Sequence, residues 1–206
     1  MTIHGGQEDV ALPPIPLGTA TDDPRASYRQ DDAPPGSAPE PDRSSEDEPQ
    51  VTPPRRSVPE ILAALRATPA ELDRLISGQS DEALARPASD GEWGVVEILP
   101  HLGDWEAIQQ VWMHRLLDED VPALESVDDS LWAIERDYAG QPPAESLASF
   151  AERRTETVHL LESLDDDAWQ RQAAHPRLGR LTLHQLAERM CDHDARHIEQ
   201  ARDALA

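Results

Sequence analysis

The apolar residues between Trp93 and Leu116 recur at gaps of three and four, and this spacing constrains the fold more than any other feature of the sequence. The stripe comprises Val95, Ile98, Leu102, Trp105, Ile108, Trp112 and Leu116. Gaps of three and four return to the same face of an α-helix, so this helix must bury one side along its whole length. No segment of the chain shows the alternating apolar pattern that is typical of a β-strand. The sequence therefore predicts an all-α fold.

Three further segments after residue 56 show the same helical period. They run from Ser57 to about Gly78, from about 144 to 164, and from about Thr182 to Ala204. Ser57 and Thr182 are suitable N-cap residues, because their hydroxyl oxygens can accept a hydrogen bond from a free backbone N–H of the first turn. Pro69 lies inside the first segment and predicts either one kinked helix or two pieces.

Four amphipathic helices of this length predict a four-helix bundle. The connection between the second and third helices, residues 119–143, is long enough to cross the bundle from one end to the other. We therefore expect an up-down-down-up order instead of simple alternation. A second connection, which contains Pro176 and Gly179, is predicted to be a loop before the fourth helix.

Residues 1–56 differ in composition from the rest of the chain. They contain 11 of the 19 prolines, many acidic residues and few large apolar groups. Such a segment buries too little apolar surface to offset its conformational entropy. We predict a disordered Pro/acid-rich tail over residues 1–56 and a helical domain over residues 57–206.

The charge balance limits the partners of the chain. The formal net charge is −23, so phosphate backbones and anionic lipid surfaces would be repelled, and we expect neither a nucleic-acid nor a membrane partner. The single cysteine, Cys191, excludes an internal disulfide. The first residues lack the basic start and apolar stretch of a secretory signal, which favours a cytoplasmic protein.

Two histidines occupy neighbouring positions on the apolar face of the fourth predicted helix. That face reads Leu183, Leu186, Met190, His193, His197, Ala201 and Ala204. Imidazoles at positions i and i+4 project from the same side of a helix and can bind one metal ion. Because a buried imidazole needs partners for both ring nitrogens, the pair predicts either a metal ion or core histidines that are satisfied by water or a carboxylate.

His101, on the second predicted helix, is the candidate third ligand. Three protein ligands leave a position open for water or substrate, which is the arrangement of catalytic zinc sites. Asp104 is a candidate for orienting an imidazole of the site, the alternative being an exposed carboxylate. Gln200 is a candidate contact for a bound ligand, the alternative being a solvated side chain near the helix end.

The segments GEWGVVEILPHLGDWE, residues 91–106, and HPRLGRLTLHQLAERMCDHDARHIEQ, residues 175–200, resemble the DinB-like (DNA-damage-inducible) family of small metal-binding proteins. The shared marks are a tryptophan before the helix with the first histidine, a His-Leu-x-Asp-x-Glu segment, and a last helix with His-Asp-x-x-His-x-x-Gln. The resemblance covers about residues 58–206.

The resemblance implies an up-down-down-up four-helix bundle, often dimeric, with a divalent metal, usually zinc or nickel. The implied ligands are His101, His193 and His197. Some members of the family are transferases that use low-molecular-weight thiols, of the bacillithiol or mycothiol class, and the resemblance extends that expectation to a small-molecule thiol and an electrophile as partners. The alternative that it implies is a non-catalytic metal or ligand-binding module in stress response.

The segment HDARH also invites comparison with the zinc-protease motif HExxH. Asp194 stands where that motif has its catalytic glutamate, and its side chain is one methylene shorter. The chain also offers no obvious glutamate ligand on a later helix, because the given sequence ends at Ala206. The sequence therefore disfavours a protease.

Overall fold

The computed structural model describes residues 55–206 as a mostly helical protein, in agreement with the predicted all-α class. Its elements are α1 (Val58–Ile76), α2 (Asp81–Ala85), α3 (Val95–Asp118), α4 (Trp132–Glu135), a 3-10 helix (Tyr138–Gly140), α5 (Pro143–Glu162), α6 (Asp166–Trp169), β1 (Gln172–His175), β2 (Gly179–Thr182) and α7 (Leu183–Ala204). The tail that was predicted over residues 1–56 lies outside the described residues, apart from Arg55 and Arg56.

The four long helices begin near the residues that the sequence indicated. The backbone N–H of Ser57 donates to Glu60 at 2.8 Å at the start of α1. Thr182 and Gln185 exchange two hydrogen bonds, of 2.9 and 3.1 Å, at the start of α7. These capping boxes satisfy backbone groups that would otherwise be unpaired at the helix ends. Pro69 does not divide α1, which is a single helix.

Side-chain contacts give the directions of α1 and α7. Near the start of α1, Arg56 donates to Asp192 at 2.9 Å. Near its end, Glu71 pairs with Arg202, about ten residues further along α7. Because the contacts advance along both helices together, α1 and α7 run parallel.

The pair α3 and α5 is also parallel. Glu106 contacts Arg154, and one turn further along both helices Gln110 donates to Thr157 at 3.2 Å. In contrast, Ile98 at the start of α3 packs with Ile198 near the end of α7, so these two helices are antiparallel. The order is up-down-down-up, and residues 119–142 return the chain along the bundle, as the sequence predicted.

The apolar core is divided into two clusters along the bundle. One cluster contains Ile61, Leu65, Trp112, Met113, Leu116, Val158, Leu161, Leu186 and Met190, and the other contains Leu72, Ile98, Leu102, Leu147, Phe150, Ile198 and Ala201. Between them, each long helix carries at least one buried polar residue. We call this set the polar layer, and it comprises Thr68, Glu106, Arg154, Thr157 and Asp194.

A small β-hairpin occupies the segment that was predicted to be a loop. β1 pairs with β2 in antiparallel register, from Gln172 opposite Thr182 to His175 opposite Gly179. Gly179 has φ +70°, a conformation that is accessible to glycine without strain, and His175 Nδ1 accepts bonds of 3.1 and 3.2 Å from the next backbone N–H groups. Strands of four residues are too short to give a clear alternating pattern, which is why the sequence did not reveal them.

No helix within residues 55–206 is both long and apolar enough to span a lipid bilayer.

Candidate metal centre

The three predicted histidines lie together where α3 faces α7. His101 Nε2 is 3.3 Å from His193 Nε2, and His197 Nε2 is 3.2 Å from the same atom. His101 and His197 are each 4% exposed, whereas His193 is partly exposed. The three ring nitrogens therefore converge on one point, with His193 on the side that solvent reaches.

The spacing of these nitrogens fits a tetrahedral metal ion. Zinc–imidazole bonds of about 2.0–2.1 Å at tetrahedral angles hold the ligand atoms roughly 3.3 Å apart. The separations of His193 Nε2 from the other two Nε2 atoms, 3.3 and 3.2 Å, agree with that value. Among the described residues, these three histidines form the one group of at least three metal-ligand side chains whose donor atoms lie within 4.8 Å of one another.

Hydrogen bonding alone does not satisfy this cluster. Gln200 Oε1 lies 3.0 Å from His197 Nδ1, which places the proton of that ring on Nδ1 and leaves a lone pair on Nε2. If His193 Nε2 is unprotonated, two lone pairs face each other at 3.2 Å. If His193 Nε2 is protonated, the tautomer of His101 matters. A proton on His101 Nε2 would face the N–H of His193, and a proton on His101 Nδ1 would have no acceptor, because that buried atom has no partner.

Every neutral tautomer of the three rings therefore leaves a repulsive contact or an unpaired buried N–H. An unpaired buried polar group costs about 1–3 kcal/mol. A cation at the point of convergence would accept all three Nε2 lone pairs at once. The donor set thus suits a divalent metal, and the residues that would hold it are His101, His193 and His197.

Different contacts orient the individual rings. The carbonyl of Gln200 fixes the tautomer of His197 through Nδ1, an arrangement that is common for metal-binding imidazoles. His101 has no such bond and is held by packing, with the ring of Trp93 edge-on at a centroid distance of 4.8 Å. Gln200 and Trp93 therefore both act on the geometry of the cluster without supplying a ligand atom.

Burial keeps the three imidazoles neutral. It lowers the pKa of His101 to about 2, with smaller contributions from the charges of His197 and Arg196. Burial likewise lowers the pKa of His197 to about 4, although the bond to Gln200 opposes the shift. The pKa of His193 falls well below its usual value, mainly through burial. Neutral rings are the form that binds metals, so no proton has to be displaced near pH 7.

Aromatic side chains surround the open side of the cluster. The ring of Trp105 lies 6.0 Å from that of His193 and 5.8 Å from that of Trp132. Its Nε1–H donates to Asp129 at 2.8 Å, which ties α3 to the long connection. The ring of Tyr138, which is buried, lies 6.3 Å from that of Trp93.

Asp104 does not contact a histidine ring. It accepts a 2.6 Å bond from the Tyr138 hydroxyl and forms a 2.7 Å ion pair with Arg136. Burial and the bond to Asp104 raise the pKa of Tyr138, which therefore stays a neutral donor. Asp104 thus anchors the long connection beside the site, whereas Gln200 makes the contact with an imidazole.

Asp194 points away from the histidine cluster. Its carboxylate accepts bonds from Arg154 and Thr68 in the polar layer, so it cannot act as the glutamate of HExxH does. Cys191 is also directed elsewhere, towards the backbone of Ile61, and burial raises the pKa of its thiol to about 11. These contacts agree with the sequence argument against a protease.

The other histidines of residues 55–206 lie apart from the site. His114 and His159 are exposed. His175 and His184 are both buried: Trp169 of α6 packs on His184, and Trp112 of α3 packs on His175.

The polar layer was not predicted from the sequence, although one signal was available. The apolar face of α5 contains Leu147, Phe150, Val158 and Leu161, which leaves seven residues between Phe150 and Val158 without a buried apolar side chain. Arg154 fills the middle of that gap, and a charged residue on a buried stripe requires buried partners. Its partners are on other helices, so their identity could not be read from local spacing.

The chain matches the sequence model of the DinB superfamily over residues 64–201. It is 29% identical over 115 residues to YfiT of Bacillus subtilis, a candidate metal-dependent hydrolase, covering 56% of this chain and 65% of that protein. It is 32% identical over 114 residues to another candidate metal-dependent hydrolase, from Geobacillus thermodenitrificans, covering 55% and 64%. The chain thus spans slightly less than two thirds of these relatives.

The solved structures that resemble this one include the following two. YfiT, described as a four-helix bundle of unusual topology, superposes with a TM-score of 0.68 at 26% identity, covering 75% of this chain and 91% of that one. A mycothiol-dependent maleylpyruvate isomerase superposes with a TM-score of 0.57 at 11% identity, covering 71% and 61%. The second likeness shows a shared fold alone.

Proposed function

The chain belongs to the DinB superfamily, and we propose from this premise that it is a metal-dependent enzyme with one divalent ion per chain. The ligands would be Nε2 of His101, His193 and His197. The observation that carries the proposal is the convergence of three neutral imidazoles whose hydrogen bonds cannot all be satisfied without a cation. Relatives that are described as metal-dependent give independent support.

The site has room for chemistry because the part of the chain that the structure describes supplies three ligands and no fourth. Among residues 55–206, no carboxylate or thiol joins the three rings within ligand distance. A bound ion would lower the pKa of a water or thiol at its remaining position and so provide a nucleophile near pH 7. Catalytic zinc sites differ from structural ones in this open position.

The surrounding residues would shape the site and exclude water from it. Trp93 and Trp105 flank the histidines with apolar faces, which lowers the local dielectric and strengthens electrostatic interactions. Gln200 would hold His197 with its Nε2 lone pair towards the ion. His193 is the partly exposed ring, and Trp105 beside it is bonded to Asp129 of the long connection, so the substrate would approach on the His193 side.

The first candidate reaction is the transfer of a low-molecular-weight thiol, of the bacillithiol or mycothiol class, to a small electrophile. The fold is shared with an isomerase that is named for its dependence on mycothiol, which motivates the choice. The second candidate is hydrolysis by bound water, which the description of YfiT favours. Both use the same three ligands with zinc or nickel.

Substitution of cobalt(II) would separate these possibilities. Cobalt bound to three imidazoles should give a visible spectrum, and a thiolate ligand should add a sulfur-to-metal charge-transfer band in the near ultraviolet. We expect that band when mycothiol, bacillithiol or a simple analogue is added, and no spectrum with His193→Ala. Cobalt binding without a thiol band would overturn the transferase and leave hydrolysis. Binding without turnover of any thiol acceptor or ester would point to a non-catalytic module.

A further inference from the structure

The structure contains a buried ionic cluster beside the histidines that the proposed chemistry does not use. We propose that Glu106, Arg154 and Asp194 are positioning residues that fix the two ligand-bearing helices relative to each other and thereby set the metal affinity. The inference rests on the proposed metal site, because it concerns how strongly that site binds.

Arg154 is bonded to a carboxylate on each side. Its Nε and Nη2 donate to the two oxygens of Glu106 at 3.1 and 2.8 Å. Its Nη1 and Nη2 donate to the two oxygens of Asp194 at 2.5 and 3.2 Å. Both pairs are bidentate, an arrangement that fixes the direction of the guanidinium plane as well as its position.

The rest of the polar layer completes the cluster. Thr157 donates to Glu106 at 2.5 Å, and Thr68 donates to Asp194 at 2.9 Å. Arg154 also donates to the backbone carbonyl of Leu65 at 3.2 Å. Every side chain of the polar layer is at most 4% exposed. Without water to replace a lost partner, these groups hold one arrangement strongly, since a charge left unpaired there is costly.

The position of the cluster relates it to the histidines. Asp194 directly follows His193 in α7, and Glu106 lies five residues after His101 in α3. The two carboxylates therefore anchor the two ligand helices to the same guanidinium, which comes from α5. Through Thr68 and Leu65, the cluster also holds α1, so all four long helices meet in this layer.

This arrangement has a consequence for metal binding. A metal site loses affinity when its ligands move by a fraction of an ångström from the geometry that the ion requires. The ligands come from two helices, and a relative shift of α3 and α7 would separate His101 from His193 and His197. Glu106 and Asp194 oppose that shift by their shared bonds to Arg154. Metal loading should in turn order α5, which carries no ligand.

The test measures zinc affinity and amide hydrogen exchange in the full chain and in two near-isosteric variants, Glu106→Gln and Asp194→Asn. We expect each variant to bind zinc at least tenfold more weakly. In the wild type, zinc should slow exchange in α5 around Arg154, and in the variants this protection should be confined to α3 and α7.

A matched control separates positioning from general stability. Leu161→Ala removes a core side chain of α5 that lies two turns beyond Arg154, and it should lower the melting temperature without changing the zinc dissociation constant more than twofold or threefold. If Glu106→Gln and Asp194→Asn behave like this control, the inference is overturned. If the wild type itself binds no metal, the proposed function fails first.

Milder variants apply if the carboxamide variants do not fold. Thr157→Val and Thr68→Val each remove one hydrogen bond from the cluster and preserve side-chain shape. We expect each to weaken zinc binding by a few-fold and to reduce the protection of α5. Unchanged affinity and unchanged protection in both valine variants would also overturn the proposal.

Discussion

Gln200 Oε1 lies 3.0 Å from Nδ1 of His197, and this contact determines which ring nitrogen can face a metal. We predict that Gln200→Leu weakens metal binding about 10–100-fold, as loss of such outer contacts does in other metal sites. Gln200→Glu should retain most of the affinity, because a carboxylate accepts the same bond. Competition with a chromophoric chelator measures the metal affinity of both variants. Equal affinities of Gln200→Leu and Gln200→Glu would contradict the role of the contact.

The second prediction concerns the three ligands. His101→Ala, His193→Ala and His197→Ala should each reduce the bound metal from about one ion per chain to a small fraction after dialysis. His114→Ala, at an exposed position of α3, is the matched control and should leave the metal content unchanged. Elemental analysis of untagged protein provides the measurement. A wild type that takes up neither zinc nor nickel would exclude the site.

The third prediction is a loss of stability in acid without metal. His197 titrates near pH 4 in the folded chain and near 6.5 when unfolded, so only the unfolded chain takes up a proton between these values. The stabilisation is therefore complete above pH 6.5 and falls as the pH drops towards 4, by about 1.4 kcal/mol per pH unit for one ring. Urea unfolding in the presence of chelator measures this slope, which should be smaller in His197→Gln.

The fourth prediction concerns Arg154. Arg154→Met leaves Glu106 and Asp194 buried without a countercharge and should lower the free energy of unfolding by about 3–5 kcal/mol. Arg153→Met, one residue earlier and only partly buried, is the control and should change it little. Chemical denaturation monitored by circular dichroism compares the two. A loss below about 1 kcal/mol for Arg154→Met would show that the cluster stabilises little.

The fifth prediction divides the N-terminal region at residue 55. From its composition, we expect that deleting residues 1–54 leaves melting temperature and metal content nearly unchanged. Deleting residues 1–56 should lower the melting temperature, because the backbone N–H groups of Arg55 and Arg56 donate to Glu188 at 2.7 and 2.6 Å and that carboxylate is buried. A large effect of the shorter deletion would show that the first 54 residues contribute to the fold.

The sequence predicted the long helices because each carries apolar residues at helical spacing, and it predicted their order because the connection between α3 and α5 is long. The sequence also predicted that His193 and His197 lie together, since residues four apart share a helix face. It did not predict the contacts of Asp104, because those depend on how residues 119–142 fold back over α3. The elements in that segment have three or four residues, which is too short for a periodic pattern.

The partners of Arg154 could not be predicted from the sequence for a different reason. Glu106 and Asp194 are separated from it by 48 and 40 residues. The packing of α3 beside α5 brings Glu106 to Arg154, and the position of α7 brings Asp194 to it. Spacing along one helix predicts neighbours on that helix, whereas a layer assembled from four helices is a property of the tertiary fold.

The parallel course of α3 and α5 requires the chain to travel back along the bundle before α5 begins. That return segment supplies Asp129 to Trp105 and Tyr138 to Asp104. It contributes none of the three histidines and no residue of the polar layer, and it supplies Leu124 to one of the apolar clusters. We therefore expect that residues 119–142 can differ between related proteins, and with them the substrate, while the three histidines and the polar layer stay the same.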